Sequence, residues 1–276
     1  MDQELAHFHV LENALADCEH LLLHFRGPVC DLSVRPVTAL TSRLRALLAG
    51  QGVPLPPAMR AASDPYALLR FILAACPGLA ARAEAEICQQ EILAAAAARP
   101  SHGIRTLLDG PASVSIIGDV CPAAIKGYLA RLYPRQMDRV RLIIGRLGAD
   151  PALLEPTPIP ILQAAQLLGV PPAACAVVAS TPDSIRAGRQ AGAPAIGYAR
   201  TAAARDQLTA AGAAASTASM TGLAGAAYRT EQRRRYDRRD PGAPSLRAAA
   251  EVLPCNLSHR TSAACPWLGS NDTGQP

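Results

Sequence analysis

The sequence predicts an α/β protein: a doubly wound parallel sheet with a block of helices inserted after its first strand. Three observations carry this. An apolar run, LLLHFRGPVCDL (Leu21 to Leu32), breaks at Gly27-Pro28. Residues 37–107 then show helical spacing and no convincing strand. From 113 to 199 short apolar runs alternate with amphipathic helices, the rhythm of a parallel sheet with helices on both faces.

Each element has a local reason. The Leu21 run reads as a buried strand ending in a tight turn, because Gly and Pro punctuate it. VTALTSRLRALLAGQG has apolar residues at helical spacing and stops at Gly50 and Gly52. DPYALLRFILAACPG starts with Asp64 as N-cap and Pro65 at the first helical position, and ends at Pro77-Gly78. LAARAEAEICQQEILAAAAA continues as a third helix to Pro100. The alternating part then runs strand 113–120, helix PAAIKGYLARLY, strand 139–145, helix 158–169, strand 175–180, helix 182–192 and strand 193–199.

Half of the 276 residues are hydrophobic and 18% are charged, enough for a sizeable packed core. The formal charge of +5 is concentrated in RTEQRRRYDRR, 229–239, where six arginines face Glu231 and Asp237. A local basic run reads as a solvated segment rather than a nucleic-acid-binding face, so a nucleic-acid partner is not expected. From 228 onward the expectation is a basic, disordered C-terminal tail rich in Pro, Ser, Thr and Gly, carrying the single tryptophan, Trp267. Eight cysteines show no CxxC pair and no accompanying His cluster, which argues against structural zinc and for packed thiols, Cys30 and Cys121 included. The acidic, polar start lacks the pattern of a secretory signal, and no apolar run is long enough to span a bilayer. A cytoplasmic location and no membrane partner are the expectations.

In spacing, residues 18–226 resemble the haloacid dehalogenase-like superfamily, specifically its phosphatase-like branch with a helical cap after the first strand. The stretches that carry the likeness are LLLHFRGPVCDL and LLEPTPIPILQAAQLLGVPPAACAVVASTPDSIRAGRQAGAPAIGYA, 153–199. The resemblance implies a Rossmann-like core made of 1–34 and 108–227, with 35–107 as an inserted α-helical cap domain. It also implies chemistry. An aspartate nucleophile attacks phosphorus, a second aspartate two residues on acts as acid and base, a Ser or Thr and a Lys hold phosphate, and further carboxylates hold Mg²⁺.

The matching positions here are degenerate. His24 and Arg26 stand for the two aspartates, Gly118, followed by Asp119, for the hydroxyl residue, and Glu155 for the lysine. Ser180 and Ser184 stand for the metal carboxylates, with Asp183 one step off register. Magnesium wants oxygen ligands including one or two carboxylates, and Arg26 would set a positive charge against it. No metal and no cofactor is therefore expected, Mg²⁺ entering only if the protein is a hydrolase after all. An ion pair between Arg26 and Glu155 across the old site mouth is expected instead, because either charge alone there would cost several kcal/mol.

The first reading is a non-catalytic member of the superfamily, a binding or regulatory protein for a small phosphorylated metabolite or anion. His24, Arg26, Gly27, Asp119, Glu155, Thr181 and Asp183 are its candidate ligand-binding residues. Arg26, the backbone near Gly27 and the start of the 182–192 helix supply the anion-holding groups. The alternative is a hydrolase of small phosphate esters, either of altered mechanism with His24 as nucleophile or general base and Arg26 stabilising an anionic oxygen, or of the ordinary kind with its motifs elsewhere. A protein partner or a homodimer is compatible with both.

Overall fold

A computed structural model describes residues 2–32, 37–146 and 156–239. Its centre is a six-stranded, wholly parallel sheet in the order β5-β4-β1-β6-β7-β8. The strands are β1 (His20–His24), β4 (Ser113–Ile117), β5 (Val140–Ile144), β6 (Cys175–Ala179), β7 (Ala195–Tyr198) and β8 (Ala215–Thr217).

Strand sequence explains why both faces are covered. In β1, Leu21 and Leu23 bury in one apolar cluster and Leu22 in another. In β6, Ala176 and Val178 join the first cluster while Cys175, Val177 and Ala179 join the second. Successive side chains point to opposite faces, so a continuous apolar run needs helices on both sides. The first face is covered by α1 (Asp2–Leu15), α6 (Ile104–Asp109), α7 (Pro122–Leu132) and the first half of α11 (Met220–Arg239). The second is covered by α8 (Ile159–Leu168), α9 (Pro182–Gln190) and α10 (Ala202–Ala210).

Between β1 and β4 the chain leaves the sheet through β2 (Cys30–Asp31) and returns through β3 (Arg99–Pro100), a short antiparallel pair with Cys30 opposite Pro100 and Asp31 opposite Arg99. The insertion between them contains α2 (Val37–Ala49), α3 (Pro57–Ala61), α4 (Pro65–Ala75) and α5 (Ala80–Ala97). It has its own apolar cluster, with Leu40, Leu44 and Leu48 against Leu68, Ile72 and Ile87. The expected cap of Asp64 is present: its carboxylate accepts from the N–H groups of Tyr66 and Ala67, both at 3.0 Å.

Two expectations change. The helical block was expected to extend to 107 without strands, yet β3 closes it at Pro100 and Ile104, Leu107 and Leu108 of α6 bury with the sheet. The tail was expected to lose structure at 228, yet α11 continues through the arginine run to Arg239. Its cause is visible at the start of that run, where Arg229 pairs with Glu12 of α1 and Thr230 is buried with its hydroxyl on the Ala226 carbonyl. Segments α1, α10, β8 and α11 were not foreseen at all. Residues 240–276, Trp267 among them, lie outside the described residues. Among the described residues no helix is long and apolar enough to cross a membrane.

Candidate functional site

The strand order locates the site. β1 lies between β4 and β6, and the chain winds outward from it in both directions, so the carboxyl ends of these three strands are where a doubly wound sheet places its site. His24 ends β1, Gly118 and Asp119 follow β4, and Ser180 follows β6. Of the degenerate positions read from the sequence, His24, Gly118 with Asp119, and Ser180 thus lie at one edge.

Within that edge they play different parts. His24 is closed off, with 8% of its surface exposed. Arg26 lies in the turn after β1 and keeps 34% of its side chain exposed. Gly27 has φ +92°, and a Cβ there would stand 2.0 Å from Ser180 Oγ. Ser180 Oγ in turn donates to the Arg26 carbonyl at 3.3 Å. The β1 turn and the β6 loop are therefore in direct contact, a closeness that only glycine permits.

Thr181 and Ser184 serve α9 rather than that edge. The Thr181 hydroxyl caps the helix by accepting from the Ser184 N–H at 3.2 Å, and the two hydroxyls lie 2.6 Å apart. Asp183 pairs on the exposed side of α9 with Arg186. Gly118 donates its N–H to the Ile144 carbonyl at 3.0 Å, which joins the ends of β4 and β5. Glu155, expected to pair with Arg26, lies outside the described residues.

Arg26 has other partners. Its guanidinium donates to the Tyr66 hydroxyl of α4 at 2.9 Å and lies 3.7 Å from Asp119 Oδ1. Tyr66 Oη donates to Glu91 Oε1 of α5 at 2.7 Å. Glu91 is fully buried and also accepts from Arg146, at 2.8 Å on Oε1 and 3.1 Å on Oε2, and from the Cys121 N–H at 2.7 Å. Arg146, whose side chain is 0% exposed, directs its Nε to both oxygens of Glu84 at 3.0 Å and a further N–H to the Asp119 carbonyl. The Tyr66 ring carries both cations, with the guanidinium carbons of Arg26 and Arg146 at 5.4 and 5.5 Å from its centroid.

This is one polar chain running from the sheet edge into the helical insertion. Two guanidiniums face three carboxylates, Asp119, Glu91 and Glu84. Burial disfavours the charge on Arg26 and on Arg146, yet Asp119, Tyr66 and Glu91 together in the first case, and Glu91, Glu84 and Tyr66 together in the second, outweigh it, and both guanidiniums are held more firmly protonated than usual. Burial, with Glu91 and Asp119 adding to it, holds the Tyr66 phenol well above its ordinary value, so it remains a neutral donor. Burial also raises Glu84 above the usual carboxylate value, against the pull of Arg146.

Tyr66→Phe is expected to cost about 1–2 kcal/mol, because Arg26 loses an acceptor and Glu91 a donor in a half-buried setting. Urea unfolding of the variant checks it. A loss below a few tenths of a kcal/mol would mean that water replaces the hydroxyl freely.

Sequence reasoning did not single out Tyr66, Glu84, Glu91 or Arg146. A signal for one of them was present: the buried positions of α5 are Ala83, Ile87, Glu91 and Ala95, an i, i+4 stripe with a carboxylate in an apolar row. Arg146 comes two residues after a strand, as Arg26 does, and nothing local marks it.

The groups at this edge do not fit a magnesium ion. Where a metal would need paired carboxylates the positions hold a buried His24, a cationic Arg26 and two serines, and Asp119 faces Arg26. Among the described residues there is no group of three or more His, Cys, Asp or Glu able to hold a metal ion.

No family model and no curated protein matches the sequence. Solved structures do match the fold. A hydrolase from Pseudomonas syringae aligns with a TM-score of 0.51 at 16% identity, over 75% of this chain and 96% of its own. A haloacid dehalogenase-like hydrolase of family IA, variant 3, from Entamoeba histolytica aligns with a TM-score of 0.50 at 17% identity, over 76% and 99%. A conserved haloacid dehalogenase-like protein of unknown function from Agrobacterium tumefaciens aligns with a TM-score of 0.50 at 21% identity, over 75% and 96%. At these identities the likeness is one of fold.

Proposed function

The chain is a haloacid dehalogenase-like protein by fold, and from that premise we propose that it is a non-catalytic member, a binding or regulatory protein without Mg²⁺-dependent phosphatase activity. One observation carries the proposal. The group at the second catalytic position, Arg26, is engaged by Tyr66 and Asp119 and continues into the buried Glu91–Arg146 pair. Phosphoryl transfer needs a nucleophile and a metal clamp at this place, and the residues present supply an internal ion network in their stead.

Its ligand is a small phosphorylated metabolite or another anion, held through the exposed third of Arg26. Helices α2 to α5 act as the cap over the strand ends, since α4 and α5 supply the Tyr66 and Glu91 that reach Arg26 and Arg146.

The rival reading, a hydrolase of small phosphate esters using His24, is supported by the hydrolases that share the fold. Against it stands the burial of His24, which keeps its imidazole from an incoming ester.

Turnover of a panel of phosphate esters by the pure protein, with Mg²⁺ and with EDTA, decides between them, and a His24→Ala preparation serves as control. The expected result is no turnover in any lane. Turnover lost in His24→Ala would overturn the proposal in favour of an altered mechanism. Mg²⁺-dependent turnover that rises with purity and survives His24→Ala would overturn it in favour of an ordinary hydrolase.

A further inference from the structure

Two thiols from distant parts of the chain meet beside the ion network. Cys88 lies on α5, and Cys121 is the N-cap residue of α7, directly after the loop that carries Asp119. Their sulfurs are 2.6 Å apart, and the Cys121 thiol also donates to the Cys88 carbonyl at 3.7 Å. Both line an open cavity of about 600 Å³ whose wall includes Pro77, Glu84, Pro122 and Arg146. Small solutes can therefore reach the pair. Cys30 and Cys175, by contrast, are fully buried, and burial pushes their thiols up to about 12 and about 11.

We propose that Cys88 and Cys121 are an oxidation site, a thiol pair that a peroxide converts reversibly into a disulfide joining α5 to α7. The contact meets the first requirement of a disulfide, two sulfurs with no intervening group. The two thiols also differ as the reaction needs. Cys88 is half-buried and faces the cavity, whereas Cys121 is 3% exposed, and burial holds its thiol above the ordinary value. Cys88 is thus the attacking sulfur and Cys121 the resolving one.

In the first step the Cys88 thiolate attacks the peroxide O–O bond. A sulfur–oxygen bond forms as the O–O bond breaks, giving a sulfenic acid, and the other oxygen takes the proton given up by the Cys88 thiol and leaves as an alcohol, or as water from hydrogen peroxide. In the second, the Cys121 sulfur attacks Cys88 and expels hydroxide, which takes the Cys121 proton and leaves as water. In sum, two thiols and one peroxide become one disulfide, one alcohol and one water. A dithiol reductant reverses the change by thiol–disulfide exchange.

The consequence is mechanical. Glu91 lies one helical turn beyond Cys88 on α5 and already accepts the Cys121 N–H. A disulfide there adds a covalent link, for as long as it stays oxidised, to a junction otherwise held by hydrogen bonds and by the packing of Ala95 with Ile125 and Leu129. It ties the helical insertion to the sheet at the cavity wall.

The test is peptide mapping of the full-length protein. After hydrogen peroxide treatment and alkylation, trypsin is expected to release peptides 83–105 and 106–126 joined to each other, and dithiothreitol to separate them. The melting temperature should rise on oxidation and return on reduction, and a Cys88→Ser variant should show no shift. Separate alkylation of Cys88 and Cys121 after peroxide, or sulfinic acid on Cys88 without the joined peptide, would overturn the proposal. The wild-type digest decides by itself, so a variant that folds poorly does not obscure the outcome.

Discussion

Replacing Glu91 by leucine is expected to remove about 3 kcal/mol of stability, within the range for breaking one partner of a buried ion pair. Glu91 is fully buried and accepts from Arg146, Tyr66 and the Cys121 N–H. Without it the Arg146 guanidinium, also fully buried, keeps only Glu84 and the Asp119 carbonyl as acceptors. The desolvation of a charge is then poorly compensated, and the Cys121 amide is left without its acceptor.

The double replacement Glu91→Leu with Arg146→Met should recover most of the loss, since removing both charges also removes the cost of burying them. Urea unfolding of the two variants measures the difference. A single variant within about 1 kcal/mol of the wild type would show the pair to be no more than a surface ion pair in effect. Failure of the double variant to recover would show that Glu84 and Tyr66 depend on Arg146 for their own satisfaction.

Gly27→Ala is expected to cost about 2–5 kcal/mol. Two terms add. A residue with a Cβ at φ +92° is strained by about 1–2 kcal/mol, and forcing a methyl group into a filled space costs about 1–3 kcal/mol. The new Cβ would stand 2.0 Å from Ser180 Oγ and 2.6 Å from Ser180 Cβ, so the β6 loop must move. Adding Ser180→Gly removes the steric term and leaves the backbone term, a partial rescue of about 1–3 kcal/mol. Guanidinium unfolding of the single and double variants separates the two. An alanine variant as stable as the wild type would mean that the turn after β1 is not held in its close approach to β6.

Much of the fold was legible because its causes are local. Leu21, Leu22 and Leu23 form an unbroken apolar run, and such a run in a strand requires cover on both faces. Asp64 and Pro65 mark the start of α4 because a carboxylate satisfies free N–H groups and proline needs none. The elements missed were those without such marks. The arginines of 229–239 read as solvated, yet Arg229 finds Glu12 across 217 residues and Thr230 is buried. Charge pattern along a chain does not reveal a partner brought in by folding.

The candidate site divides in the same way. From the amino-acid order alone came the parallel sheet and the helical insertion after its first strand, while the meeting of His24, Arg26, Asp119 and Ser180 at one sheet edge was what the family resemblance implied. The sheet and the insertion follow from hydrophobic period, which is a property of short segments. What Arg26 touches was decided only by tertiary structure. Tyr66 and Glu91 come from helices folded back over the strand ends, and Arg146 from beyond a strand whose neighbour is fixed by sheet order. Which opposite charge fills a buried site depends on distances of a few ångströms between such segments, because ionic and hydrogen-bond energies fall away steeply beyond contact.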